Sequence, residues 1–285
     1  MTHSRTRIDE LLDSAGRHPR RDLGQNFVAD PNTVRRIAAL AGVGPADHVV
    51  EVGPGLGSLT LALAETGARV TAVEIDTHLV PILRDVVADQ PNITVIEADA
   101  MRADWTSILA PSPTWTMVAN LPYNVATPLV CDLLDEVPRI ASMLVMVQRE
   151  AGERFAARPG TSQYGAVSVK VAYWATASVV AAVPASVFVP RPNVESVLVR
   201  IDRHDPPSTP PGPLFDLVRT AFGQRRKMMR RSLAGTVTPA HFAAADISPE
   251  TRPERLSVDE WCRLTDAVLA ETVPDETGPD GPESP

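Results

Sequence analysis

Short apolar runs alternate with stretches of helical periodicity through the middle of the chain. From His48 onward, helical patterns at residues 58–65, 79–88 and 128–134 separate five apolar runs, namely HVVEVG, ARVTAVEID, NITVIEAD, WTMVANLP and SMLVMVQRE. Buried strands that alternate with helices are typical of a parallel sheet covered by helices on both faces. The pattern therefore predicts a doubly wound α/β domain.

The same reasoning predicts elements on either side of these runs. A first helix is expected after Asp30, which can cap it, with Pro31 in its first turn and Gly42 as its stop. Its apolar residues follow at helical spacing: Val34, Ile37, Ala38 and Ala41. Residues 168–183 are too uniformly apolar for periodicity to separate a buried helix from a strand, whereas residues 194–201 predict a final strand.

Changes in composition divide the chain into five segments. Residues 205–213 contain five prolines, which neither a helix interior nor a central strand accommodates, so this segment is expected to be a linker. Helical spacing returns in residues 214–233, 239–245 and 258–269 and predicts a small helical domain over residues 214–272. The remaining segments are a mobile arm at 1–22, the α/β domain at 23–204, and a disordered acidic tail at 273–285.

Composition narrows the class of protein. The 285 residues are 44% hydrophobic and 22% charged, which is ordinary for a globular chain. No apolar run reaches the ~18 residues of a membrane helix, and the first residues lack the apolar core of a secretion signal, so a cytoplasmic protein without a membrane partner is expected. Cys131 and Cys262 lie far apart without metal-ligand spacing, so neither a disulfide nor a bound metal is expected.

The distribution of charge matters more than its sum. The formal net charge is −8, but residues 271–285 contribute five acidic groups and no basic one. Residues 219–231 (RTAFGQRRKMMRR) contain six basic groups and no acidic one. Such a local concentration suits a polyanion even though the whole chain is acidic.

A glycine-rich segment, VVEVGPGLG at residues 49–57, joins the first predicted strand of the α/β domain to its helix. Taken alone it also fits a turn without a ligand, or a nicotinamide dinucleotide site. Its spacing is GxGxG rather than GxGxxG, and the next two strands end in Glu74 and Asp99. Either acid alone is also compatible with a solvated strand end; together they predict acceptors for the ribose hydroxyls and the adenine amine of an adenosine ligand without a pyrophosphate.

The fourth strand ends in Asn120, Leu121, Pro122 and Tyr123, where a parallel sheet places ligand chemistry. A packed NP-type turn is the alternative. The carboxamide oxygen of Asn120 and the carbonyl of Leu121 can accept the hydrogens of an amine, and Tyr123 can stack on a flat ring. Cys131 lies eight residues beyond Tyr123 in a predicted helix, where a buried, inert thiol is expected rather than a nucleophile.

These features resemble those of the S-adenosylmethionine-dependent methyltransferases, and NLPY resembles the (N/D)-x-P-(Y/F) motif of those that methylate exocyclic amines. Further segments extend the resemblance over nearly the whole chain: LGQNF at 23–27, SQYGAVSV at 162–169, VFVPRPNVES at 187–196 and AFGQRRKMMRRSL at 221–233. In this order they are similar to the ribosomal RNA adenine dimethyltransferases of the kasugamycin-resistance type.

The resemblance implies roles for individual residues. The implied cofactor residues are Asn26, Val28 in place of the more usual leucine, Glu51 at the methionine amine, Gly53, Gly55, Glu74, Asp99 and Asn120. Asn120, Leu121, Pro122 and Tyr123 would form the reacting turn, and Phe188 would enclose the target base against Tyr123. The implied RNA contacts are Arg225, Arg226, Lys227, Arg230 and Arg231, at helical spacings, with Phe222, Met229 and Leu233 packed inward. Without the resemblance, these basic residues also fit a solvated helix face.

The implied activity is dimethylation of two adjacent adenines near the 3′ end of 16S rRNA in an immature 30S subunit, by a monomer, with S-adenosylmethionine as methyl donor. Two alternatives remain open. The erythromycin-resistance type shares LGQNF and the amine-methylating turn but acts on 23S rRNA, and a ribosome-assembly factor with secondary activity would share the fold. The YGAVSV and FGQRRKMMRRSL segments favour the kasugamycin-resistance type over the erythromycin-resistance type. The complete set of predicted pocket residues disfavours an assembly factor without activity.

Overall fold

The computed structural model describes residues 2–20 and 23–272. They form two compact units. The first unit contains residues up to Ala156 together with Trp174–Asp205, and the second contains Ala157–Tyr173 and the described residues from Pro206 onward. The predicted tail at 273–285 lies outside the described residues.

A seven-stranded, mostly parallel sheet forms the centre of the first unit. The seven strands of this sheet are β2 (His48–Val52), β3 (Arg69–Glu74), β4 (Ile93–Glu97), β5 (Trp115–Asn120), β6 (Ile140–Gln148), β7 (Ala175–Val183) and β9 (Ser196–Arg203). Two further strands, β1 (Phe27–Val28) and β8 (Phe188–Val189), form a separate antiparallel pair. The order in the sheet is β4-β3-β2-β5-β6-β9-β7, with β9 antiparallel to both of its neighbours. The order reverses between β2 and β5, which confirms the doubly wound α/β class.

The helices follow the order of the chain. They are α1 (Arg5–Ser14), α2 (Pro31–Ala41), α3 (Ser58–Ala64), α4 (Leu79–Val86), α5 (Trp105–Ile108), α6 (Ala126–Glu136), α7 (Arg149–Phe155), α8 (Ala166–Trp174), α9 (Pro211–Gly223), α10 (Met229–Ser232), α11 (Pro239–Ala244) and α12 (Val258–Thr272). The predicted start and stop of α2 are confirmed. The carboxylate of Asp30 accepts from the N–H groups of Asn32 and Thr33, and Gly42 ends the helix with a φ of 69°.

The five predicted strands of the parallel core are confirmed as β2 to β6. Val49 and Val50 in β2, and Leu144 in β6, are completely buried, as expected for strands covered on both sides. The ambiguous region 168–183 divides at its middle, because α8 ends at Trp174 and β7 begins at Ala175. Both elements are apolar on more than one side, which is why their period was not visible in the sequence.

The prediction of a mobile arm over residues 1–22 is wrong for the part that the structure describes. Ser4 caps α1 by accepting from the N–H of Arg7. The buried residues Ile8, Leu11 and Leu12 pack in one cluster that also contains Phe27, Leu56 and Leu79. Three apolar residues on one face gain enough by burial to hold a ten-residue helix in place.

The predicted linker over residues 205–213 is also wrong in its second half. Proline is tolerated in the first turn of a helix, and α9 begins at Pro211. The preceding residues are anchored within the second unit, because the carbonyl of Thr209 accepts from the hydroxyl of Tyr173 at 2.7 Å and its own hydroxyl donates to Asp266 at 2.9 Å.

The α/β domain predicted over residues 23–204 ends where the first unit ends, at Asp205, but it wrongly includes residues 157–173. Residues 157–173 belong to the second unit, where the Tyr164 hydroxyl donates to the carbonyl of Leu256 at 2.8 Å and the Gly160 N–H donates to that of Glu254 at 2.7 Å. These contacts join residues about ninety positions apart. A local pattern of apolar residues carries no information about such pairings.

Candidate active site

One cleft in the first unit collects almost all of the predicted cofactor and reacting residues. It encloses about 1140 Å³ including its open mouth. Its lining includes Asn26, Val28, Glu51, Gly53, Gly55, Glu74, Asp99, Asn120, Leu121, Pro122 and Tyr123. The cleft lies at the carboxyl ends of β2 and β5, where the order of the strands reverses and parallel sheets bind ligands.

The glycine-rich turn after β2 needs glycine for two separate reasons. Gly53 and Gly55 have φ angles of 69° and 58°, which residues with a side chain rarely adopt. A β-carbon on Gly55 would also lie 2.8 Å from a ring carbon of Phe27. The backbone therefore lies close to the base of the cleft, and it leaves room above it for a ligand.

Glu74 connects this turn to the end of β3. It is 5% exposed, and its Oε2 accepts from the N–H of Gly55 at 2.9 Å while its Oε1 accepts from the N–H of Asp76 at 2.9 Å. Each carboxylate oxygen retains a further lone pair for a ligand hydroxyl. Burial raises the pKa of this carboxyl. Glu74 is thus positioned to shape the turn and to accept from a ribose.

Glu51 has an unsatisfied oxygen within the same cleft. Its side chain is 1% exposed, and its Oε2 has no hydrogen-bond partner among the described residues. Burial raises the pKa of this carboxyl to about 8, and the neighbouring Glu74 acts in the same direction. A buried carboxylate without a partner is unstable unless a cationic ligand group compensates it. The ammonium of a methionine moiety fits this requirement.

Asp99 lies at the other side of the adenosine pocket. Its Oδ1 accepts from the N–H of Met101 at 2.9 Å, and its Oδ2 lies 3.9 Å from Nε of Arg102, which is 88% exposed. Two apolar side chains of the lining are exposed, Ile75 at 47% and Met101 at 38%. An acceptor beside apolar surface suits an adenine ring with its exocyclic amine.

The reacting turn is oriented by the LGQNF segment. The side-chain Nδ2 of Asn120 donates to the carbonyl of Asn26 at 2.9 Å, and the side chain of Asn26 donates to the carbonyl of Gly24 at 3.0 Å. This network assigns the carboxamide of Asn120 so that Oδ1 is its free end. The carbonyl of Leu121 likewise has no donor among the described residues. Two acceptors are therefore available for the hydrogens of an amine.

Tyr123 follows these acceptors and is half-buried. Its hydroxyl lies 2.8 Å from Oγ of Ser196, and burial raises the pKa of the phenol. The structure contradicts the prediction for Phe188. That side chain is completely buried, pairs with Val28 in the β1–β8 ladder and packs in the core of the unit, so it presents no face to a base.

Sequence reasoning also missed Gln25, which lines the cleft, and two residues bonded to its lining, Asp76 and His3. Gln25, in the LGQNF motif, donates to Oδ2 of the buried Asp76 at 2.7 Å and accepts from the N–H of Arg20 at 2.8 Å. The Nε2 of His3 bonds to the carbonyl of Leu56 at 2.8 Å. Gln25 lies in the LGQNF segment and Asp76 ends the apolar run ARVTAVEID, so both could have been found from the sequence. Nothing in the local sequence pattern indicates a role for His3.

The basic residues lie in the second unit, and all five are exposed: Arg225, Arg226, Lys227, Arg230 and Arg231. Their predicted position on one continuous helix is wrong, since α9 ends at Gly223 and α10 begins at Met229. A continuous helix would set like charges four residues apart, which destabilises it, and Gly223 weakens it further. Met229 and Leu233 pack inward as predicted, and Phe222 is partly buried against the rings of Tyr164 and Trp261.

Other site types find no support in the described residues. Within residues 2–20 and 23–272, no cluster of three or more His, Cys, Asp or Glu side chains could hold a metal ion. In the same ranges no helix is long and apolar enough to cross a membrane. Cys131 and Cys262 are buried and form no disulfide.

The fold and the cleft together define a class I methyltransferase with an S-adenosylmethionine pocket. The model of the ribosomal RNA adenine dimethylase family matches residues 16–269. The chain therefore belongs to the ribosomal RNA adenine dimethylases, enzymes that dimethylate adenine in rRNA with S-adenosylmethionine as methyl donor.

Individual relatives agree with this assignment. A ribosomal RNA small subunit methyltransferase A from Bifidobacterium longum is 44% identical over 92% of this chain and 92% of its own length. A dimethyladenosine transferase from Plasmodium falciparum, 22% identical, superposes with a TM-score of 0.74 over 86% of this chain and 98% of that one. The 23S rRNA methyltransferase ErmE, 26% identical, has a TM-score of 0.67 over 85% and 99%.

The buried carboxyl of Glu51 predicts a pH-dependent affinity for S-adenosylmethionine. Below its pKa of about 8 this group is protonated in the cofactor-free protein and must release the proton to pair with the methionine ammonium. Affinity should therefore rise with pH, by up to about tenfold per unit between about pH 5.5 and 7.5, before the ligand amine begins to lose its own proton. Calorimetry in buffers of different ionisation enthalpy measures both the affinity and the released proton.

Two variants control this measurement. Glu51→Gln should bind more weakly and lose most of the pH dependence, whereas Glu97→Gln, at an exposed position on β4 in the same sheet, should retain it. A wild-type affinity that is constant over this range would contradict the assignment of Glu51 to the methionine amine.

Proposed function

We propose that this protein dimethylates the exocyclic amines of two adjacent adenines near the 3′ end of 16S rRNA within an immature 30S subunit. Each methyl transfer is direct and in line, the enzyme acts as a cytoplasmic monomer, and the modification is coupled to small-subunit biogenesis. The orientation of Asn120 is the observation that carries the proposal, because the bond from Nδ2 to the Asn26 carbonyl leaves Oδ1 free to accept a hydrogen of an amine.

The main role of the protein in this reaction is to orient the target amine toward the methyl donor. S-adenosylmethionine would supply a methyl group activated by the sulfonium charge, because breaking the methyl C–S bond releases a neutral thioether, which is a good leaving group. Oδ1 of Asn120 and the carbonyl of Leu121 hold the amine hydrogens, so that the nitrogen lone pair, otherwise delocalised into the ring, is directed at the methyl donor. Pro122 supplies no competing N–H at this point. The product ammonium can lose its proton to water, so no dedicated base is required.

The choice of 16S over 23S rRNA rests on the chain as a whole. The small-subunit relative from Bifidobacterium longum shares 44% of its residues with this chain, against 26% for ErmE. The YGAVSV and FGQRRKMMRRSL segments support the same choice. Mass spectrometry of 16S and 23S rRNA from a strain lacking the gene tests it. Loss of dimethyladenosine from 23S rRNA alone would favour the erythromycin-resistance type, and unchanged 16S and 23S rRNA would favour an assembly factor.

The basic segment provides a test of how the rRNA is bound. Arg225 donates to the carbonyl of Ser162 at 2.8 Å and lies 3.8 Å from Glu254, and Arg230 lies 3.6 Å from Glu250. The remaining three, Arg226, Lys227 and Arg231, have no ion-pair partner among the described residues. These three are the ones best placed to contact phosphates.

Replacing Arg226, Lys227 and Arg231 together by alanine should weaken binding to immature 30S subunits. The slope of log affinity against log salt should fall by about one for each lost phosphate contact. S-adenosylmethionine affinity should be unchanged, because its pocket is built from residues of the first unit. Filter binding across a salt series measures the slope.

Arg219→Ala is the matched control, since Arg219 is exposed on α9 but paired with Asp216. Its salt slope should equal that of the wild type. A triple variant that also keeps the wild-type slope would show that the basic segment is a solvated surface.

Naked 16S rRNA should be a poor substrate compared with the 30S particle, because the acidic chain gains little from bulk phosphate and depends on a local surface.

A further inference from the structure

The reacting turn is bonded to a hydroxyl that lies in another motif. Oγ of Ser196 lies 2.8 Å from the hydroxyl of Tyr123, and Ser196 itself is completely buried. We propose that Ser196 is a positioning residue for methyl transfer, which holds the ring of Tyr123 at the orientation needed to stack on the target adenine. The inference rests on the proposed function, because it assumes that Tyr123 receives the base.

Ser196 is suited to this role because its own position is rigid. It is the first residue of β9 and lies between Gln148 of β6 and Val183 of β7 in the sheet. Its neighbour Glu195 is held twice by Arg149, whose N–H donates to the Glu195 carbonyl at 2.9 Å and whose guanidinium donates to Oε2 at 3.1 and 2.6 Å. The hydroxyl of Ser196 is therefore a fixed point beside the cleft.

Tyr123, in contrast, lies between β5 and α6, where the chain is a turn rather than a helix or strand. Among the described residues no aromatic ring packs against that of Tyr123, and Phe188 is buried in the core and does not line the cleft. A tyrosine ring is held by only two torsions, so a single hydrogen bond at its far end removes much of the remaining freedom. The half-buried face of Tyr123 then remains available for a base.

This contact also gives the VFVPRPNVES motif a direct link to the reacting turn. The motif contacts the turn through its last residue, Ser196, and not through Phe188. Because the effect is on the angle of the stacked base and not on its binding surface, the link should influence the rate of transfer more than the affinity for the substrate.

The experiment is a double-mutant cycle with Tyr123→Phe and Ser196→Ala, measured on immature 30S subunits. Each single variant should lower kcat by about tenfold while the KM for 30S subunits and the Kd for S-adenosylmethionine stay within about twofold of wild type. The double variant should be no slower than Tyr123→Phe alone, because both changes remove the same hydrogen bond. Ser142→Ala, which removes a hydroxyl bonded to Thr116 Oγ1 in the same sheet, should leave kcat unchanged.

Two outcomes overturn the inference. One is a wild-type kcat in folded Ser196→Ala; the other is a double variant whose loss equals the product of the two single losses. Tyr123→Phe keeps the test decisive if Ser196→Ala fails to fold, since it removes the same bond from a half-buried side chain. Tyr123→Ala separates the two proposals. Wild-type turnover in that variant would overturn base stacking itself, whereas a strong loss there together with a wild-type Ser196→Ala would overturn only the role of Ser196.

Discussion

Asn120→Ala is expected to lower the turnover of methyl transfer by about a hundredfold or more while the affinity for 30S subunits stays within about threefold of wild type. The reason is the hydrogen bond from Nδ2 of Asn120 to the carbonyl of Asn26, which directs Oδ1 toward the amine. Alanine removes both this anchor and the acceptor, so the amine hydrogens lose one of their two partners. Single-turnover rates with labelled S-adenosylmethionine measure the chemical step apart from rRNA binding.

Asn32→Ala is the matched control for this variant, because Asn32 is exposed on α2 in the same unit and does not line the cleft. It should transfer methyl groups at the wild-type rate. Near wild-type transfer by Asn120→Ala would mean that the amine is not held by this turn, and the direct mechanism proposed above would have to be abandoned.

Glu74→Ala is expected to weaken S-adenosylmethionine binding by about 1.5–3 kcal/mol, or roughly 10- to 150-fold. The variant removes the acceptor for the ribose hydroxyls. It also removes the two acceptors for the N–H groups of Gly55 and Asp76, so the glycine-rich turn loses one of its bonds to the end of β3 and keeps the bond from the Gly53 N–H to the Val73 carbonyl. Calorimetric titration of the folded variant provides the affinity, and circular dichroism verifies the fold.

Glu97→Ala provides an unusually close control, since Glu97 pairs with Glu74 in the β3–β4 register but is exposed and lies outside the cleft. Its cofactor affinity should match the wild type. An unchanged affinity in folded Glu74→Ala would show that the ribose is bound elsewhere.

The parallel core and the cofactor cleft could be predicted from sequence because their signals are local. Each strand of the core is a short apolar run, and the turn that follows it carries its glycines, acids or NLPY within a few residues. The topology of a parallel sheet then brings those turns to one edge without further information. Nine residues at these strand ends line the same cleft, and Asn26 and Val28, which only the family resemblance implied, line it as well.

The predictions that the structure contradicts depend mainly on contacts between distant parts of the chain. The helix α1 has too few apolar residues to be recognised without the cluster that buries them, and residues 157–173 join the second unit through partners near residues 254–256. Phe188 was misassigned because a motif position does not reveal which way a side chain points; pairing between β1 and β8 turns it into the core. The break between α9 and α10 reflects repulsion within a basic run, which helical spacing alone does not register.

The packing of α1 has a practical consequence for anyone who produces this protein. Ile8, Leu11 and Leu12 share a cluster with Leu56 and Leu79, which also line the cleft, and the ring of His3 is bonded to the carbonyl of Leu56. Deletion of the first sixteen residues would remove the side chains that pack behind Leu56 and Leu79 in the wall of the cofactor pocket. Shortened versions for crystallisation should therefore keep α1.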